Sequence, residues 1–159
     1  MTDTSVIKKT PEIASRLNEE RTALRAFILL LEKEQQALLN QGAEQLMALA
    51  ESKILAAHKL TDMANARRQL LNIASEHTDT TSWIQKNAPA CCAVWEEIRE
   101  LADRIHHLNQ TNGEVIQLKL RSNQQALGVL LGAAKGTAGL YGRDGQPSLG
   151  ITGRTLGSG

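Results

Sequence analysis

The sequence predicts an all-α protein: an elongated antiparallel bundle of three long helices, with room for a short connector helix, followed by a flexible Gly-rich C-terminal tail. Three observations predict it. The apolar content is 42%, yet only Phe27, Trp83, Trp95 and Tyr141 are aromatic, so the apolar residues are mainly Ala and Leu, which lose little side-chain entropy in a helix. Leucines and isoleucines recur in 4-3-4-3 ladders, the spacing of a heptad seam. Of the twelve glycines, eight lie at or after Gly136, so the body is glycine-poor and the end is not. The expected division is 1–135 as helical bundle, with helices at about 11–40, 43–75 and 89–135, and 136–159 as tail.

The first helix is expected to open at Pro11, because proline is tolerated in a first turn where its missing N–H would be unpaired anyway. Thr10 before it suits an N-cap. Leu17, Leu24, Ile28, Leu31 and Leu38 form the ladder, with Arg21 and Gln35 at skipped rungs. Phe27, Leu29, Leu30 and Leu39 widen the stripe, which implies more than one neighbour. Asn40-Gln41-Gly42 reads as a stop, since Asn or Gly at a helix end accepts the left-handed conformation. A break this short folds the next helix back antiparallel. The second helix has a lighter inner face of Leu46, Leu49, Ala50, Ala57, Leu60, Ala64 and Leu71.

His77 to Trp83 is rich in Thr, Ser and Asp and reads as a connector, with Ser82 to Asn87 able to add a helical turn. Pro89 is expected to start the third helix. Val94, Ile98, Leu101, Ile105 and Leu108 continue the ladder, which falters at Asn112, Lys119 and Ser122. Beyond that, Val115, Ile116, Leu118, Leu120, Leu127, Val129, Leu130 and Leu131 lie all round the helix. At about 1.5 Å per residue the third helix would be roughly 70 Å long against about 45–50 Å for the others, so its end is expected to project. Exposed apolar surface of that extent marks an interaction site. Gly128, Gly132 and Gly136 share one face there and weaken the helix by about 1 kcal/mol each relative to Ala. Asn112-Gly113 is either a glycine where a neighbouring helix packs closely or a soft spot between the bundle and its apolar end.

The composition excludes several chemistries. The net charge of +1, with 18 basic and 17 acidic residues, gives no pull toward nucleic acid or an anionic membrane. No stretch approaches the roughly 18 apolar residues that span a bilayer. Met1 to Thr10 has two lysines and no apolar h-region, so a secretory signal is not expected. Cys91 and Cys92 are sequence neighbours whose Cα atoms, about 3.8 Å apart, are too close for an ordinary disulfide. They read as small hydrophobes beside Trp95, against the alternative of a reactive pair near a helix N-terminus. His106 and His107, with Asp103 one turn before His107, would supply two metal ligands where zinc needs three or four. Arg67-Arg68 reads as a solvated helix edge. Gly142-Arg143-Asp144-Gly145 and Gly150-Ile151-Thr152-Gly153 follow no strand and open no helix, so they are not phosphate loops. The expected protein is cytoplasmic, not an enzyme, and without metal or cofactor.

Three segments carry a resemblance. Asn109-Gln110-Thr111-Asn112-Gly113-Glu114-Val115-Ile116, then Asn123-Gln124-Gln125-Ala126-Leu127, then Leu140-Tyr141-Gly142-Arg143-Asp144-Gly145 resemble, in that order, the signature of the flagellar FlgN chaperone family. Leu38-Leu39-Asn40-Gln41-Gly42 is similar too. The resemblance implies a cytoplasmic chaperone of flagellar type III export. Such a protein keeps hook-associated proteins 1 and 3, the hook–filament junction proteins, unassembled and delivers them to the export gate, without cofactor or nucleotide hydrolysis of its own. The client-binding residues expected on this reading are Val115, Ile116, Leu118, Leu120, Leu127, Val129, Leu130 and Leu131, with Leu140, Leu149, Ile151 and Leu156 of the tail closing over the client. Tyr141 is expected to dock on the export gate or, alternatively, to pack on the bundle. Self-association in the absence of client is a further expectation. The alternative function is a structural coiled-coil component or coupling protein of an export apparatus.

Overall fold

The computed structural model describes residues 4–40, 42–71 and 79–140, and side chains over 10–40, 42–71 and 79–133. Its elements are α1 (Thr4–Leu39), α2 (Ala43–Leu70), α3 (Thr80–Asn87), a 3-10 turn (Pro89–Cys91) and α4 (Cys92–Leu140). There is no strand among the described residues. The chain divides into two units, residues 1–116 and 117–159.

In the first unit α1 and α2 form an antiparallel hairpin. Glu34 pairs with Lys53 and Glu20 with Arg67, so one number falls as the other rises. α1 and α4 run the same way. Arg21 and Arg25 bond Glu97, and Glu32 bonds Arg104, while Asn112 reaches the backbone of Leu31. The result is an up-down-up bundle of helices. Ile13, Leu17 and Leu24 of α1 pack with Leu71, Ile84, Ala88, Cys91 and Ile98 in its core. Full burial of one such side chain contributes about 1.5–3 kcal/mol.

Ile13, Leu17, Glu20, Leu24, Phe27, Leu31, Glu34 and Leu38 are buried rungs of α1 in a 4-3-4-3 ladder, with Ile28, as expected, and Ala37 buried beside it. Arg21 and Gln35, expected at the skipped rungs, lie beside the seam and are half-buried. On α2 the half-buried positions include Leu46, Leu49, Lys53, Ala56, Leu60, Met63, Arg67 and Leu70. Ala50 and Ala57, expected inward, are exposed. The reason is phase: Lys53 and Arg67 hold inward rungs because Glu34 and Glu20 meet them there. No residue within α2 is fully buried.

Several local expectations are corrected. α1 begins at Thr4 and carries Pro11 inside it, so Thr10 is not its N-cap. Pro11 has no N–H to donate to the carbonyl of Ile7, and the ladder lacks that bond. Gly42 is not left-handed: its φ is −76° and it is the N-cap of α2. Its N–H donates to the Ala37 carbonyl at 3.0 Å, and its own carbonyl accepts from Gln45 and Leu46. α2 ends at Leu70, capped by Leu71, and the expected stretch to Ser75 lies beyond the described residues. The connector is a helix of its own, α3, whose N-cap is Asp79; its carboxylate accepts from the Thr81 N–H at 3.2 Å. Pro89 opens the 3-10 turn, and α4 follows from Cys92 to Leu140. Residues 136–140 of the expected tail are therefore helical.

Two polar nodes tie the three long helices of the first unit. At one, Glu34 of α1 accepts from Lys53 of α2 at 3.1 Å and from Asn112 Nδ2 of α4 at 2.8 Å. Asn112 is 0% exposed and also donates to the Leu31 carbonyl at 2.9 Å. At the other, Glu20 of α1 pairs with Arg67 of α2, whose guanidinium lies 4.8 Å from the ring centroid of Trp95 on α4. Cations so placed are attracted to the ring's negative face. Trp95 in turn donates its indole N–H to Thr81 of α3 at 2.9 Å. Arg67 is thus a packed residue and not the solvated edge expected of the Arg67-Arg68 doublet.

Substituting Asn112→Asp sets a second carboxylate against Glu34 and removes the donor to Leu31. Buried groups left unpaired or facing like charge cost about 3–5 kcal/mol. Denaturant unfolding should show a loss of that order, with Asn112→Ser losing less.

Candidate partner-binding surface

The described large apolar side chains of the second unit face solvent. Between Gln117 and Ala133 no side chain is buried, yet the segment holds Leu118, Leu120, Leu127, Val129, Leu130 and Leu131, all exposed, from 56% at Leu120 to 71% at Val129. They belong to one helix, α4. Since successive residues of a helix turn by about 100°, Val129, Leu130 and Leu131 cannot share one face. The side chains therefore surround the helix, as the spacing predicts. Its charges are Lys119 and Arg121, both basic, and the other residues between the apolar ones are Gln, Ser, Asn, Ala and Gly.

The remaining expected site residues are placed as follows. Ile116, the last residue of the first unit, is exposed at 41%. Val115 is half-buried and stands three residues after Asn112, on the seam of α4 and not on its open side. Leu140 ends α4, and its side chain lies outside the described residues. Tyr141, Leu149, Ile151 and Leu156 lie outside them altogether.

The seam of α4 explains where the apolar surface begins. Val94, Ile98, Leu101, Ile105, Leu108, Asn112 and Val115 are buried or half-buried positions at alternating spacings of four and three, continuing from Cys91 of the 3-10 turn. Asn112, read from sequence as the point where the ladder falters, is one of its rungs and is fully buried. Glu20, Glu34 and Asn112 were all missed as interior residues. A signal for the acids was present: Glu20 and Glu34 are two heptads apart, as are Lys53 and Arg67, a spacing that lets both pairs form in one antiparallel register.

Three glycines on α4 mark open positions. A Cβ added at Gly113, Gly128 or Gly132 meets nothing within 4 Å. The close-packing reading of Gly113 is therefore set aside, and Gly113 follows the last polar node as a helix-weakening residue.

The other candidate residues lie in the first unit. Cys91 is buried in the core. Burial first, and then the neighbouring Cys92, pushes its thiol above the ordinary value, which disfavours the reactive thiolate. Asp103, His106 and His107 are exposed, and no group of three or more potential metal ligands occurs among the described residues. Glu97 is held below the ordinary carboxylate range by its bond from Arg21, with the charges of Arg25 and Arg21 adding to it. A lowered carboxyl value contributes stability above the unfolded-state value, and that stability is lost as pH falls through the folded one. Glu97 is thus an acid-sensitive tie between α1 and α4. No helix of the described residues is long and apolar enough to cross a membrane.

A family model described as FlgN protein matches residues 5–148. No curated protein and no solved structure matches the chain.

Because the space beside Gly113 is empty, Gly113→Ala should raise the free energy of unfolding by about 1 kcal/mol, the helix-propensity difference alone. Equilibrium denaturation of the two proteins reads this directly. A loss of stability would mean that the position is packed against a neighbour.

Proposed function

The chain belongs to the FlgN family of flagellar export chaperones, and from that membership we propose that it binds hook-associated proteins 1 and 3 before assembly and delivers them to the export gate from the cytoplasm. The family is one of chaperones and not of enzymes. The observation that carries the finer reading is the second unit: a helix with six large apolar side chains and no buried side chain among those described. A monomeric soluble protein seldom leaves such a surface open unless something binds there.

The proposed mechanism is helix-in-groove association. A client terminus that is unfolded before assembly lays its apolar face along Leu118, Leu120, Leu127, Val129, Leu130 and Leu131. Ile116 extends the exposed apolar run on the first-unit side, whereas Val115, expected to bind client, is half-buried on the seam. The tail residues Leu140, Leu149, Ile151 and Leu156 are proposed to close over the client, and Tyr141 to dock on the export gate, since aromatic anchors dominate many interfaces. An apolar surround suits this task. A chaperone needs affinity without demanding one side-chain pattern, and dispersion and burial are non-directional. The glycines at 128 and 132 keep the helix from being strongly self-supporting, so its final order is set with the client.

The test is direct. Leu127→Ser/Leu130→Ser removes two buried contacts from the complex, worth about 3 kcal/mol or more together, and should weaken client binding by about a hundredfold. Calorimetric titration with each junction protein measures it, while circular dichroism checks that helix content is kept. Deleting 136–159 should weaken client or gate binding, measured separately. Undiminished client affinity in the double variant would overturn the proposed surface.

A further inference from the structure

We propose that the outward face of α2 is a docking surface for the second unit of another copy of this chain. The outward face of α2 carries exposed apolar side chains. Met47, Ile54 and Leu55 stand open on α2 at 74%, 57% and 71%, on the side opposite the rungs that pack against α1. Met47 and Ile54 are seven residues apart, one row along a helix face. Leu120 and Leu127 of the second unit are seven apart as well and equally open. Two helices that each carry an apolar row at this spacing can interdigitate side by side.

The occupant follows from charge. From Ala43 to Asp62 the charged residues on the outward face of α2 are Glu44, Glu51 and Asp62, all acidic. Lys53 turns inward to Glu34, and Lys59 lines the cleft with α1 beside Ser15, Asn18 and Thr22. The second unit is the reverse: its helix from Gln117 to Leu140 carries Lys119, Arg121 and Lys135 and no acid. An apolar-acidic face and an apolar-basic helix are complementary, and complementary charge sets both partner choice and register. The chain's overall neutrality, +1, conceals this opposition.

The consequence for the chaperone rests on the client-binding reading above. A second copy seated on the second unit shields its leucines from aggregation and is displaced when a client arrives. The docking itself requires no client and is tested without one.

The experiment is light scattering with sedimentation equilibrium on the full chain, free of client, at low and high salt. The expected result is concentration-dependent association that weakens with salt. Glu44→Lys/Glu51→Lys should weaken it about tenfold, as should Lys119→Glu/Arg121→Glu, and combining the four substitutions should restore it. Met47→Ser/Ile54→Ser should weaken it at every salt concentration, with client affinity kept or raised, because α2 is not the proposed client surface and the competing copy is lost. A chain that stays monomeric overturns the inference. So does association indifferent to the α2 substitutions, a fourfold variant that is not restored, or loss of client affinity in Met47→Ser/Ile54→Ser. Failure of the client reading would instead appear in Leu127→Ser/Leu130→Ser and leave the α2 results standing.

Discussion

Glu34 is the residue on which the arrangement of the first unit turns. Its carboxylate takes Lys53 from α2 and Asn112 from α4, so three helices meet at one buried side chain. Two heptads away, Glu20 does the same work through Arg67, with Trp95 completing the third side. Apolar seams of Ala and Leu are nearly interchangeable when slid by a heptad, and slippage is cheap for them. A buried carboxylate changes that. Displacing α2 by seven residues would leave Glu20 and Glu34 without partners, at a cost of several kcal/mol each. The pairs need not add net stability over an apolar rung. They make the alternatives worse, the role best attested for buried polar residues in coiled coils.

The same rungs explain what sequence reasoning could and could not reach. The all-α class and the α1–α2 hairpin were legible, because the Ala and Leu content favours helix and the Leu17, Leu24, Leu31 and Leu38 row is unbroken. The phase between those leucines was not, since a glutamate in a helix ordinarily marks a solvated face. Glu20 and Glu34 were therefore passed over for their neighbours, and Ala50 and Ala57 were assigned inward in place of Lys53 and Ala56. Asn112 failed for the same reason: an amide in a leucine ladder looks like the ladder's end. The exposed leucines after it were read with more success, because apolar residues at every angular position of a helix cannot all be buried against one neighbour. Pro11 misled differently. Proline favours a helix start but does not enforce one, and α1 runs through it.

The family assignment and the physical reading meet at Asn112 and Gly113. The resemblance rested partly on this dipeptide, and the structure gives each residue a physical task. Asn112 carries the last polar rung of α4, and Gly113 stands in open space immediately after it. Before them the side chains of α4 serve the protein's own interior. After them the described apolar residues, from Ile116 to Leu131, are exposed. A chaperone needs both parts: a bundle whose register is specified, and a helix whose apolar residues are not committed to it.

Hydrogen exchange along α4, read by mass spectrometry with and without a proposed junction-protein client, tests this division most directly. Amides up to Asn112 should exchange only through global opening, in either state, whereas those of 117–133 should exchange rapidly in the free protein and slow by about a hundredfold or more when client is bound. Protection of 117–133 equal to that of the core without any client, or no gain of protection on adding it, would contradict the account.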